Sequence, residues 1–83
     1  MPTARTQLSA SAFTLLGAGP MFLQNRGPDP VFFVVDSAAP TGTGDINDWP
    51  QHRLGGGGET RDISINFTQN VYARGVGAVV FTR

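Results

Sequence analysis

Residues 60–68 alternate without a break: Ile63, Ile65 and Phe67 fall on one side of an extended chain, and Asp62, Ser64, Asn66 and Thr68 on the other. A period of two predicts a strand with one dry and one wet face. Met21–Asn25 and Val31–Asp36 are rich in Phe and Val, and the Gly27-Pro28-Asp29-Pro30 turn between them predicts an antiparallel hairpin with a loop of about five residues. A second, tight hairpin is expected from residues 71–74 and Ala78–Thr82, closed at Gly75-Val76-Gly77. Residues 9–16 read as a strand through Phe13, Leu15 and Gly17, although Ser9 could also cap a helix with Ala12, Leu15 and Leu16 on its apolar side.

Eleven Gly and six Pro cut the chain into pieces too short for average helices. Together with the alternation they predict an all-β fold: one small antiparallel β-sandwich or barrel of short strands over residues 9–83. Residues 1–8 lack apolar periodicity and read as an extended N-terminal arm, mobile in the free protein. Residues 37–51 form one long loop, a length that in small domains often carries function. Two runs, Val31-Phe32-Phe33-Val34-Val35 and Ala78-Val79-Val80-Phe81, are apolar on both alternating faces, whereas a strand of a thin sandwich buries only one. Their second faces, Phe32 and Val34 on one strand and Ala78 and Val80 on the other, are therefore expected at an oligomer interface or under the arm. The alternative is that the long loop folds over Phe32 and Val34.

Composition narrows the chemistry. In 83 residues there is no Cys and one His, His52, so neither disulfides nor a Cys/His metal centre can staple so small a core. Association with other chains is the expected remedy. Six Arg and no Lys stand singly against six carboxylates, which leaves no basic stripe for nucleic acid and no polybasic patch for a membrane surface. The absence of Lys suits a GC-rich coding sequence, and Arg is also the cation enriched at protein interfaces. No apolar run approaches the roughly 18–20 residues of a membrane span. A short apolar stretch at residues 12–18 is interrupted by Thr14 and Gly17 and is not read as a secretory signal.

An enzyme is not expected. His52 is the only candidate general base, and no Gly-x-Ser-x-Gly signature or Cys supplies a nucleophile. Gly55-Gly56-Gly57-Gly58 is followed by Glu59 rather than by Gly-Lys-Ser/Thr, and reads as a flexible link instead of a phosphate loop. Asp45-Ile46-Asn47-Asp48 has the oxygen spacing of a calcium loop without its remaining ligands. Asn66-Phe67-Thr68 matches a glycosylation sequon, but Phe67 reads as core-facing, so no modification is assigned. Trp49, beside Pro50 in the long loop, is either a lid on the core or an interface anchor. No catalytic residue, metal ligand or cofactor is assigned.

The chain from about residue 8 to 83 resembles small virion proteins of tailed bacteriophages. The resembling elements are the Leu16-Gly17-Ala18-Gly19-Pro20 turn, the segment 21–36, the loop Ala38-Ala39-Pro40, the Gly-rich turn before Glu59-Thr60-Arg61-Asp62, the run Val71-Tyr72-Ala73-Arg74-Gly75 and the terminal Gly77-Ala78-Val79-Val80 strand. The resemblance implies a compact β-sandwich without catalytic residues. It further implies a capsid decoration or cement protein that binds the major capsid protein or another virion protein, commonly as a homotrimer, assembled in the bacterial cytoplasm and residing in the virion. Under it, Pro2, Thr3, Arg5, Gln7 and Leu8 of the arm, together with Trp49, are the expected partner contacts. A head–tail, collar, head-fibre or tail-tip component is the neighbouring possibility. From a different class comes a small carbohydrate-binding module using Trp49 and Tyr72.

Overall fold

A computed structural model of the chain describes residues 3–56 and 61–83. The fold is all-β: β1 Thr3–Gln7, β2 Thr14–Ala18, β3 Met21–Asn25, β4 Val31–Asp36, a single 3-10 turn Ile46–Asp48, β5 His52–Leu54, β6 Asp62–Ile65, β7 Asn70–Gly75 and β8 Ala78–Thr82. Two antiparallel four-stranded sheets, in the orders β1-β8-β3-β6 and β2-β7-β4-β5, pack face to face. The first strand pairs with the last, the second with the seventh, the third with the sixth and the fourth with the fifth. In register, Thr3 faces Thr82, Thr14 faces Ala73, Met21 faces Ile65 and Val31 faces Leu54. Each pair lies about equally far from a midpoint in Gly42-Thr43-Gly44, so the whole chain is one long hairpin rolled into a sandwich, the winding of a jelly roll.

Pleating decides what is buried. Leu23, Val31, Val71 and Val79, all fully buried, meet Leu16, Met21, Phe33, Ile65, Ala73 and Phe81 between the sheets. Burying a side chain of the Val, Leu or Phe kind is worth about 1.5–3 kcal/mol, so this layer is the main source of stability.

Both expected hairpins are corrected by the pairing. β3 and β4 belong to different sheets, as do β7 and β8. The reason lies in where the turn's polar groups find partners. At the first connection Asn25, 1% exposed at the end of β3, donates its Nδ2 to the Asp29 carbonyl (2.7 Å) and to the Gly55 carbonyl (3.2 Å). Its Oδ1 accepts from the Gly27 N–H at 3.0 Å. A side chain thus holds the chain in an arch between the sheets, where a hairpin would use strand-to-strand bonds. At the second connection the Gly75 N–H donates to Ser9 and the Leu8 N–H to Gly77. The β1–β2 segment therefore takes the backbone groups that a tight hairpin would have paired internally. Gly77, at φ +97°, makes that turn in a conformation few other residues accept.

Residues 9–13 are irregular, and the strand expected at 9–16 runs instead over Thr14–Ala18, with a shift of register between Leu15 and Gly17. The N-terminal arm is corrected more sharply. Its extended conformation is present, but Thr3–Gln7 is the edge strand of the first sheet, paired with β8 along its whole length. Leu8, expected as a partner contact at the arm's junction with the domain, is 7% exposed and belongs to the core.

The Asn25 pin gives a first test. Asn25→Ala leaves two carbonyls and one N–H of a part-buried arch without their partner, and it is expected to cost about 2 kcal/mol. In a domain this small that is a fall of roughly 8–16 °C in Tm, read by circular dichroism. An unchanged Tm would show that the arch is held by something other than this side chain.

Candidate functional site

Two clefts flank the sandwich, one under the long loop over the outer face of β2-β7-β4-β5 and one at the open edge between β5 and β6.

The loop is organised by one residue. Alternation along β7 sends Val71 and Ala73 into the core, and Tyr72 and Arg74 to the outer face, yet Tyr72 is 7% and Arg74 3% exposed. The Arg74 guanidinium lies 4.6 Å from the centroid of the Phe32 ring and 5.8 Å from that of Phe13. Its Nε donates to Gln51 Oε1 (2.9 Å), one terminal nitrogen to the Ala10 carbonyl (2.9 Å) and the other to Asn47 Oδ1 (2.8 Å). Arg suits this place because its planar fork reaches three diverging oxygens while its faces stack on rings. Gln51 closes the network by donating to the carbonyls of Ile46 (2.9 Å) and Asn47 (3.2 Å). Asp45, read above against a calcium loop, caps the 3-10 turn: its Oδ1 accepts from the Asn47 N–H at 2.9 Å and from Asn47 Nδ2 at 3.0 Å.

Trp49 follows this turn. Its ring stacks on Phe13 at 6.3 Å between centroids, and a Cβ on Gly42 would stand 2.7 Å from it. The half-buried indole is therefore a lid on the outer face of the sheet. Its Nε1 is buried with no acceptor among the described residues. Beside it a shallow cleft of about 330 Å³ runs between loop and β4, lined by Val34, Ala39, Pro40, Trp49 and Pro50.

The residues expected at an interface separate accordingly. Phe32 is covered by Arg74 of its own chain, so the loop and its network provide much of the cover foreseen from a second subunit. Val34 stays half-buried at the loop cleft. On the other sheet Ala78 is buried and Val80 half-buried, Val80 flanked in register by Arg5 and Gln24. Thr3 Oγ1 meets Thr82 Oγ1 at 2.7 Å, and Gln7 Nε2 donates to the Gly77 carbonyl at 2.8 Å, so both are committed to the sandwich. Arg5 is exposed on the same outer face, and Pro2 lies outside the described residues. Tyr72, buried with its hydroxyl against Asn70 Nδ2, offers no ring face to a sugar.

The second cleft was hidden in the sequence. Ile63, Ile65 and Phe67 read as one dry face, but only Ile65 is buried; Ile63 is 37% and Phe67 63% exposed, with Phe67 beyond the end of β6. They border a cleft of about 520 Å³ between the sheets, whose inner walls are Phe33, Val35 and Ile65. His52, on the rim, packs its ring on Phe33 at 5.2 Å. Of the glycine run, the described Gly55 and Gly56 are buried, and a Cβ on Gly56 would stand 2.6 Å from the Asp29 carbonyl oxygen; Gly57, Gly58, Glu59 and Thr60 lie outside the described residues.

Apolar side chains are also exposed on both outer faces. Phe22 (46%) stands on the β1-β8-β3-β6 sheet and Leu15 (55%), paired with Tyr72, on the β2-β7-β4-β5 sheet. Among the described residues no cluster of three or more His, Asp or Glu could hold a metal ion. Compared with family models, with curated proteins and with solved structures, the chain matches none.

Proposed function

We propose that the chain is a non-enzymatic structural protein of a bacteriophage virion, a decoration or cement protein that binds the assembled shell of major capsid protein and acts as an oligomer. The observation that carries this reading is the placement of Phe22 and Leu15 on opposite outer faces of one thin sandwich. A piece that bridges neighbours has to contact at least two of them at once, and a rigid block with anchors on two faces is suited to that. Two further points support it: the resemblance of the sequence to phage virion proteins, and the jelly-roll winding, an architecture that recurs in viral capsid domains. Fold alone does not assign function, so the weight rests on the faces.

The work of such a protein is thermodynamic. A ligand that binds only the assembled shell stabilises it by RT ln(1 + [L]/Kd), which is about 2.7 kcal/mol per site at a hundredfold excess over Kd. Attachment would run through Phe22, Leu15 and the loop cleft, since Thr3–Gln7 of the expected arm is taken up in the first sheet.

Quantitative mass spectrometry of virions purified from the source tests this. Decoration requires on the order of hundreds of copies per particle, set by the number of symmetry positions on the shell. A dozen or fewer would transfer the chain to the collar, head–tail junction, head fibre or tail tip. Absence from the particles would end the virion reading.

A further inference from the structure

Among the described residues four strands lie at the edges of the two sheets, and three of these edges are guarded. β2 is broken by a bulge at Leu15 and Gly17, β5 has only three residues, and β1 carries Arg5 at its centre with all but one of its residues exposed. Bulges, shortness and central charge are the devices by which edges avoid pairing. β6 has none of these: Asp62-Ile63-Ser64-Ile65 is a regular strand whose one charge sits at its first position. The same edge carries the two apolar side chains that the strand pattern marks as dry and the monomer leaves wet, Ile63 and Phe67.

The geometry points to β6 as a self-pairing edge, where a second copy of this chain adds its own β6 antiparallel across a two-fold axis. This interface holds irrespective of any larger assembly, and it predicts a dimer instead of the trimer that the resemblance implies.

The register follows from the backbone. The Asn25 N–H donates to the Arg61 carbonyl, so in the β3–β6 ladder residues 61, 63 and 65 turn their backbone groups toward β3. Those of Asp62 and Ser64 therefore point outward, and extending the strand by one residue on pairing brings those of Asn66 into the same row. A two-fold axis normal to the sheet keeps inner faces inner, so Ile63 has to lie opposite an inward-facing residue of the other copy. Centring the pair on Ser64 achieves this and bonds all three outward residues: Ser64 pairs with its own copy and Asp62 with Asn66. Ile63 then lies against Ile65 of the other strand, and Arg61 stands opposite Phe67, a cation against a ring. The two Asp62 carboxylates are kept four residues apart, about 13 Å along the strand. The two open clefts face each other across the axis, and Ile63 and Phe67 close them.

Four substitutions test the proposal on the full chain. Light scattering on a sizing column at about 100 µM should give the mass of a dimer. Ser64→Pro removes an outward N–H and spares the β3–β6 ladder, so it should keep the native circular dichroism of the parent and run as a monomer, with a Tm lowered only by the lost association. Phe67→Asp, at an exposed site, should weaken dimerisation by at least about tenfold. Ser64→Cys, the only thiol in the chain, should link two copies through a short bis-maleimide, whereas Asp62→Cys should link far less. A parent that is monomeric or trimeric overturns the proposal. So does a dimer that survives both Ser64→Pro and Phe67→Asp, and a dimer linked better through Asp62→Cys overturns the register.

Discussion

Arg74→Ala is expected to loosen the long loop before it unfolds the sandwich, at a cost of about 3–4 kcal/mol. Arg74 is 3% exposed, and its guanidinium satisfies three oxygens, on Gln51, Ala10 and Asn47, while its faces rest near Phe32 and Phe13. Removing it takes a buried side chain from between two rings and leaves three part-buried acceptors without their donor, which places it among the costlier single changes. At 4–8 °C per kcal/mol for a domain of this size, Tm should fall by roughly 12–32 °C. Trp49, the single Trp, reports on the loop separately. Its emission should shift to the red in the variant at temperatures where the circular dichroism is still native, because the stack on Phe13 depends on the same network. Arg74→Met, which keeps an apolar stem between the rings without donors, should fall between parent and Arg74→Ala. If Trp49 emission is unchanged in Arg74→Ala, the loop is held by its own contacts and Arg74 is a passenger.

The strands were largely legible from sequence because alternation encodes faces. Met21–Asn25, Val31–Asp36 and Ala78–Thr82 stand where the Phe- and Val-rich segments put them. Their neighbours were not legible, because a period of two says which side chains share a face and nothing about which strand lies alongside. The turns Gly27-Pro28-Asp29-Pro30 and Gly75-Val76-Gly77 suggested local hairpins, and the nested pairing about Gly42-Thr43-Gly44 is a property of the whole chain. Asn25 was the available hint at the first arch: a polar residue closing an apolar strand before Gly-Pro has to find partners if it is buried.

The candidate site was half-readable for the same reason. Trp49 stood out in its loop, and the second apolar faces at Phe32 and Val34 did need cover. Arg74 did not stand out, since an Arg near a strand end is ordinarily solvated, and only the pairing of β7 with β4 sets it opposite Phe32. The exposure of Ile63 and Phe67 was invisible because edge position, unlike amphipathicity, leaves no local mark.

Deleting residues 1–7 should have the largest effect of all, and it separates an edge strand from a free arm. The segment pairs with β8 from Thr3↔Thr82 to Gln7↔Ala78, on the flank opposite β3. Its own side chains are mostly exposed, so little apolar area leaves with it. What is lost is the cover of Val79 and Phe81, 0% and 7% exposed, and of a β8 edge reading Ala-Val-Val-Phe, a run prone to intermolecular pairing. The truncated chain should unfold at least about 15 °C lower or aggregate on purification. Single prolines make the test local. The Leu8 N–H donates to the Gly77 carbonyl, so by the alternation of an antiparallel ladder the Thr6 N–H faces β8 and the Arg5 N–H faces solvent. Thr6→Pro should therefore lower Tm by several degrees and Arg5→Pro should leave it nearly unchanged. A mobile arm would tolerate both substitutions and the deletion alike, and that result would remove β1 from the fold.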